Sequence, residues 1–127
     1  MNVLDSSTVL AAFFEEPAGA EAEAFFDRSL ISSVNLAEVL QKMADRGLSV
    51  AEVMELIHEA EIGVVALDAR LALETAELWP LTKAKGLSLA DRSCVALARA
   101  VNGMAVTADR AWADLDIPGV TVHVLSR

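Results

Sequence analysis

The sequence predicts an α/β fold: a parallel sheet of four to five short strands flanked by helices. Three observations carry this. Short apolar or β-branched runs recur at residues 1–4, 29–32, 63–67, 104–107 and 120–125, and segments of helical period separate most of them. The connections are short and the strands too small to stand alone, so right-handed crossovers onto one sheet are the expected solution. The layout of strand, acid and helix start occurs twice, at Leu4-Asp5-Ser6 and again at Thr107-Ala108-Asp109. That layout is a βα turn at a strand's carboxyl end, where open α/β folds place their ligand sites.

Size and composition narrow the possibilities. The 127 residues are expected to form one domain, 1–127, with a sizeable core. A hydrophobic content of 54% argues against disorder. No apolar run approaches the roughly 18 residues of a membrane helix, so no membrane is expected. The chain starts directly on a strand-like run without a basic leader, so no signal peptide is expected. Cys94 is the single cysteine, which rules out an internal disulfide, and it reads as a small buried residue of an apolar helix. The expected compartment is the cytoplasm. The net charge of −9 lies in residues 1–61, which hold twelve acids and three bases; residues 62–127 hold seven of each. A globally acidic chain is not an obvious nucleic-acid binder by electrostatics alone.

Taken in order, residues 8–15 and 18–28 read as two helices broken at Pro17. They carry Leu10, Phe13, Phe14, Phe25 and Phe26, which make either ordinary core or a groove for a partner helix. After the strand at 29–32, a helix to about residue 46 buries Leu36, Val39, Leu40 and Met43. Glu38 lies off that stripe, either paired with Lys42 one turn on or closing an Asn35-x-x-Glu38 start signal. Gly47 ends this helix, and Ser49-x-x-Glu52 opens the next as a capping box. His58 on that helix reads as a surface residue. A third strand at 63–67 precedes Asp68 and a long helix kinked or ended at Pro80, with Lys83 and Lys85 before Gly86. The helix from Ser88 to about residue 101 has two apolar lines. Asp91 heads the one continued by Val95 and Ala98, so an acid is directed toward the core; Ser88-x-x-Asp91 is also a capping box. The strand at 104–107 ends beside Asp109, a short helix runs to about residue 115, and the strand at 120–125 contains an isolated, structural His123. Asp114 is a fifth acid of solvated character.

Four acids, two at strand ends and two near helix starts, can meet above one sheet edge. Clustered carboxylates repel unless a cation or protons offset the charge. Oxygen-only ligands favour Mg²⁺ or Mn²⁺ over zinc, and such an ion supports hydrolysis of phosphodiesters. A P-loop, a G-x-S-x-G elbow, a Cys/His zinc pattern and G-x-G-x-x-G are all missing from the sequence.

Met1-Asn2-Val3-Leu4-Asp5-Ser6-Ser7, Ser33-Val34-Asn35-Leu36-Ala37-Glu38-Val39, Gly86-Leu87-Ser88-Leu89-Ala90-Asp91 and Val106-Thr107-Ala108-Asp109-Arg110-Ala111-Trp112 resemble the ordered acidic motifs of PIN-domain ribonucleases. The short form resembles the VapC toxins of toxin–antitoxin pairs, over essentially the whole chain. Trp112 stands where the family often has Phe. The resemblance implies a three-layer PIN-like fold with Asp5, Glu38, Asp91 and Asp109 holding Mg²⁺ or Mn²⁺. It implies endonucleolytic RNA cleavage by metal-activated water, with Thr107 orienting a water or a neighbouring carboxylate. It also implies a homodimer and inhibition by a VapB-like antitoxin, whose tail would lie along a groove using Leu10, Phe13, Phe14 and Phe25.

The neutral half of the chain that carries Asp91 and Asp109 also carries Lys83, Lys85, Arg92, Arg99 and Arg110. Lys83, Lys85, Arg92 and Arg110 are the expected RNA-phosphate contacts; a solvated helix face is the other reading, above all for Arg99. The alternatives from other classes are a non-catalytic interaction module and a receiver-like phospho-acceptor that binds Mg²⁺. The receiver-like reading would need paired acids after the first strand, where Asp5 is followed by serines. A haloacid-dehalogenase-type phosphatase would need Asp at position 7, which is Ser.

Overall fold

Val3 and Leu4 are adjacent, both fully buried, and point to opposite faces of the sheet; that alternation organises the whole structure. The computed structural model describes residues 1–126. Five parallel strands, β1 (Asn2–Leu4), β2 (Ser29–Ser32), β3 (Ile62–Val65), β4 (Met104–Thr107) and β5 (Thr121–Val124), pair in the order β3-β2-β1-β4-β5. The helices are α1 (Ser6–Phe13), α2 (Gly19–Glu23), α3 (Ser33–Ala44), α4 (Val50–Glu59), α5 (Ala69–Glu77), α6 (Trp79–Thr82) and α7 (Leu89–Ala100).

Each face of the sheet carries its own core. Leu4, Ile31, Ile62 and Val106 pack on one side with Val9, Leu36, Val39, Val53 and Ile57 of α1, α3 and α4. On the other side Val3, Leu30 and Ala105 pack with Leu78, Leu87, Cys94, Val95, Leu97 and Trp112. Helices on both faces leave the parallel sheet no solvated side, which is the condition for such sheets. Each fully buried aliphatic side chain contributes about 1.5–3 kcal/mol relative to exposure. A charged residue at Val3 or Leu4 would therefore break one layer from the other.

The element boundaries differ from the sequence expectation where local chemistry prevails. The first helix starts at Ser6, directly after extended Asp5 at the N-cap position, rather than at residue 8. The expected helix 18–28 shortens to Gly19–Glu23, followed by turns through Phe26. The long helix is interrupted beside Pro80, as expected: α5 gives way to α6 at Leu78, and Pro80 sits in the first turn of α6, where its missing N–H costs nothing. The third strand runs Ile62–Val65 rather than 63–67, the last runs Thr121–Val124, and the segment after Asp109 is one 3-10 turn, Arg110–Trp112. His58 is exposed, as expected.

Because all strands run in parallel, α1 and α3, which follow strands, start at the sheet's carboxyl edge. So does α7, which runs back toward the start of β4. Gly86, at φ 69° after a 3-10 turn (Lys83–Lys85), takes the left-handed conformation that re-aims the chain into Ser88 and α7. Three helix N-termini, the positive ends of their dipoles, thus surround the end of β1.

Candidate active site at the carboxyl edge of the sheet

Asp5 sits at the N-cap of α1, yet its carboxylate does not cap that helix. The acid is instead 3% exposed and turned across the sheet edge. Ser7 Oγ and Thr107 Oγ1 donate to its Oδ2 at 2.6 and 2.8 Å, and Asn35 Nδ2 lies 3.4 Å from Oδ1. Burial pushes its pKa up from 3.8 to about 6, against the two hydroxyl donors, and the charges of Asp91 and Glu38 add to the rise.

Glu38 is half-buried on α3. It makes no ion pair with Lys42; Ser6 Oγ, from the first turn of α1, donates to its Oε1 at 2.7 Å. The side of α3 that periodicity assigns to solvent overlooks the end of β1. Asp91 closes the expected capping box at the head of α7: its Oδ2 accepts from the Ser88 N–H at 2.9 Å, while Ser88 Oγ accepts from the Asp91 N–H. Partial burial raises its pKa; the Ser88 donors oppose the rise, and Asp109 and Glu38 reinforce it. Asp109 is exposed and caps the 3-10 turn after β4, accepting from the Ala111 N–H at 2.9 Å. Thr107 is fully buried and ties two of the acids together, donating to Asp5 while accepting from the Asp109 N–H at 3.0 Å.

The four acids therefore share one edge and feel one another's charge: Asp5 with Glu38 and Asp91, and Asp91 with Glu38 and Asp109. Among the described residues no side-chain cation pairs with any of them. As they stand, no three acid, His or Cys side chains there are close enough to cage an ion. The donor set itself suits a hard divalent cation: carboxylate oxygens, from buried Asp5 through half-buried Glu38 and Asp91 to exposed Asp109, with no ion pair among the described residues to offset their charge. Asp114 is turned away, 84% exposed and paired with Lys85 at 3.4 Å. Asp68 is exposed and caps α5 through the Leu71 N–H.

The profile of the PIN domain family matches residues 3–118. The chain belongs to the PIN-domain family. No curated protein matches its sequence. Its fold is similar to a chain of a toxin–antitoxin complex from Klebsiella pneumoniae, with TM-score 0.72 and 19% identity, covering 95% of this chain and 96% of that one. It is likewise similar to a chain of VapBC2 from Rickettsia felis bound to a promoter DNA fragment (TM-score 0.70, 19% identity, 98% of each chain). A third is a chain of DNA-bound VapBC from Salmonella typhimurium (TM-score 0.68, 19% identity, 97% and 96% covered). The three-layer PIN fold with its parallel sheet is thus as the motifs implied, with five strands.

The remaining expected residues scatter more widely around this PIN domain. Arg92 is committed to its own face: its guanidinium lies 4.9 Å over the Trp79 ring and donates to the Thr75 carbonyl. Lys85 is held by Asp114. Arg110, next to Asp109, and Lys83 are exposed and make no ion pair among the described residues. The four expected groove residues all pack, partly buried, against the first core, each with its own neighbours. Phe13 lines a cleft of about 530 Å³ with Ala12, Phe26, Leu56 and Ala60, rimmed by Glu15, Glu23 and Glu59. Phe14 lies under Arg46, Phe25 stacks on His123, and Leu10 is partly buried against the core. His123 is structural, as expected: it bonds Glu21 at 2.9 Å.

Residues that sequence reading missed are the neutral donors. Ser6, Ser7, Asn35 and Ser93 hold the acids or one another, and a run of small polar residues after a strand-end acid is too common to reveal this alone. A larger cleft of about 580 Å³ opens beside Asp109 and Arg110, walled by Pro17, Ala18, Ala108 and Leu125.

Proposed function

We propose that this PIN domain is a VapC-like toxin: a Mg²⁺- or Mn²⁺-dependent endoribonuclease, cytoplasmic and held inactive by a VapB-like antitoxin. The observation that supports it most is the gathering of Asp5, Glu38, Asp91 and Asp109 at one sheet edge, with no side-chain cation among the described residues paired to them. These four acids are the residues that would hold the ion. When bound, it supplies the charge that lowers the pKa of water and offsets phosphoryl oxygens.

The chain's own groups do the positioning. Thr107 and Ser7 fix the Asp5 carboxylate by its Oδ2, leaving Oδ1 toward Asn35 and the edge. Ser6 aims Glu38. Ser88 holds one oxygen of Asp91 and leaves the other free. Arg110, beside Asp109, is the first candidate for an RNA phosphate and Lys83 the second; Arg92 is already engaged and serves α7 and α5. A single-stranded segment suits the edge, since its phosphates can approach the acids without a duplex groove. The apolar cleft beneath Phe13 and Phe26, with its glutamate rim, suits a basic amphipathic antitoxin segment. Exposed Leu73, Trp79, Leu81 and Leu89 offer apolar surface for a homodimer.

The test is cleavage of total RNA by the purified protein with and without Mg²⁺ or Mn²⁺, beside Asp5→Asn. Discrete fragments that need both the ion and Asp5 are expected. Absence of cleavage together with absence of calorimetric Mn²⁺ binding would overturn the reading.

A further inference from the structure

Asn35 is the one fully buried amide at the sheet edge, and its bonds exceed what a helix start needs. The helix N-cap function is already met by Ser32, whose Oγ accepts from the Val34 N–H. The orientation of the Asn35 amide follows from its surroundings. Its Nδ2 faces three acceptors: the Ala90 carbonyl at 3.2 Å, Asp5 Oδ1 at 3.4 Å and Glu38 Oε1 at 3.5 Å. Its Oδ1 faces the Ser93 hydroxyl at 3.2 Å. An amide nitrogen carries two hydrogens. The shortest bond takes one to Ala90, so the other is shared between Asp5 and Glu38. Two carboxylates are thereby drawn toward one neutral donor, from β1 and from α3. The first hydrogen ties that point to the carbonyl immediately before Asp91 at the head of α7. Ser93, on the next turn of α7, gives its one hydrogen first to the same Ala90 carbonyl, at 2.7 Å, and lies against the amide oxygen at 3.2 Å, while Ser32 donates to Ser93 at 3.3 Å.

We propose that Asn35 is a positioning residue that sets the spacing of Asp5, Glu38 and Asp91 and so prepares them to receive a divalent cation. The inference rests on the metal-dependent reading above and adds a residue to it. Asn35 joins the helix layer on one face of the sheet to α7 on the other, at the level of the acids. No charged group could replace it without changing the balance: a carboxylate would add repulsion, and a lysine would itself take the cation's place. Partners that orient metal ligands without touching the ion change affinity by about 10- to 100-fold when removed.

The experiment is calorimetric titration of Mn²⁺ alone into the full chain and three variants, with thermal unfolding of each measured without metal. Asn35→Leu keeps the volume and removes both donors, and is expected to weaken Mn²⁺ binding by about 10-fold or more. Ser93→Ala removes the hydroxyl that lies against the amide oxygen and shares the Ala90 carbonyl with it, with little change in packing, so a smaller weakening in the same direction is expected. Thr75→Val changes a buried hydroxyl that bonds only its own helix; its Tm can shift, but its Mn²⁺ affinity is expected to match wild type. Wild-type affinity in both Asn35→Leu and Ser93→Ala, whatever their Tm, would make Asn35 a packing residue and overturn the inference. If Asn35→Leu does not fold, Ser93→Ala alone decides. Failure of the wild type itself to bind Mn²⁺ would instead remove the metal-dependent reading on which the inference stands.

Discussion

Two helices of this protein open with the same device, and only one of them stands among other acids. Ser49 and Glu52 form a capping box at the start of α4; Ser88 and Asp91 form one at the start of α7. The bonds are nearly identical: 3.0 and 3.1 Å in the first, 2.9 and 3.1 Å in the second. Yet the two acids shift in opposite directions. Glu52 is exposed, and the Ser49 donors hold its pKa below the ordinary value. Asp91 has the same donors but rises, because partial burial and two neighbouring acids outweigh them. The motif explains the helix starts equally well in both places. What separates them is position: α4 begins in solvent, whereas α7 begins over the end of β1, beside Asp5 and Glu38. A cap that satisfies backbone N–H groups can also hold a carboxylate in place for chemistry when other acids stand opposite.

The comparison is broken most sharply by removing each acid. Asp91→Asn is expected to cut metal-dependent RNA cleavage at least about 100-fold, more than loss of a mere supporting partner. Glu52→Gln is expected to leave it within about twofold. Rates on one RNA substrate with both variants check this; equal losses would mean that the two boxes do the same job.

A second contrast concerns stability and pH. Asp5 behaves like Asp91, and its pKa of about 6 against an ordinary 3.8 means the folded protein binds a proton that the unfolded chain has released. Without divalent cation, its burial costs nothing below pH 3.8. The cost grows as pH rises toward about 6 and is then complete, at up to about 3 kcal/mol. Asp5→Asn is therefore expected to unfold at higher denaturant concentration than wild type at pH 7 and to lose that advantage by pH 4. Glu52 has the opposite sign: its contribution is present above its ordinary pKa and fades as pH falls through the lowered value. Denaturant unfolding at both pH values measures each; a less stable Asp5→Asn at pH 7 would contradict the burial argument.

Added Mn²⁺ sharpens the same point. Binding only to the folded state stabilises by about 2.7 kcal/mol at a hundred times Kd. The rise in Tm is expected in wild type and Glu52→Gln and largely lost in Asp91→Asn. The smallest effects belong to the serines. Ser49→Ala and Ser88→Ala each lose a cap, costing about 1 kcal/mol of stability. Only Ser88→Ala is expected to slow cleavage as well, because it frees the Asp91 N–H and loosens the turn of α7 that carries the Asp91 carboxylate; paired Tm and rate measurements separate the two.

Much of this arrangement was legible in the sequence. All five strands, the acids at the ends of β1 and β4, the inward bias of Asp91 and the structural roles of Cys94 and His123 follow from period, turn chemistry and charge. Glu38 did not, because helical period assigns it to solvent, and periodicity does not record that α3 starts over another strand's end. Arg92 reads as a free cation, but its long side chain folds back onto Trp79, a contact between residues 13 apart that no local rule supplies. The neighbours of the two aromatics were not legible either: the turn after α1 and the short α2 bring Phe14 under Arg46 and Phe25 against His123. The hydroxyl and amide donors stayed hidden for a related reason. Ser6, Ser7 and Asn35 take their meaning from partners up to 101 residues away.

We propose that the four acids of the sheet edge form one cation site. Crystals soaked in Mn²⁺ and measured at the manganese absorption edge test it directly. A single anomalous peak, or a close pair, bounded by Asp5, Glu38, Asp91 and Asp109 is the expected result. A peak elsewhere, or none at saturating Mn²⁺, would contradict the account.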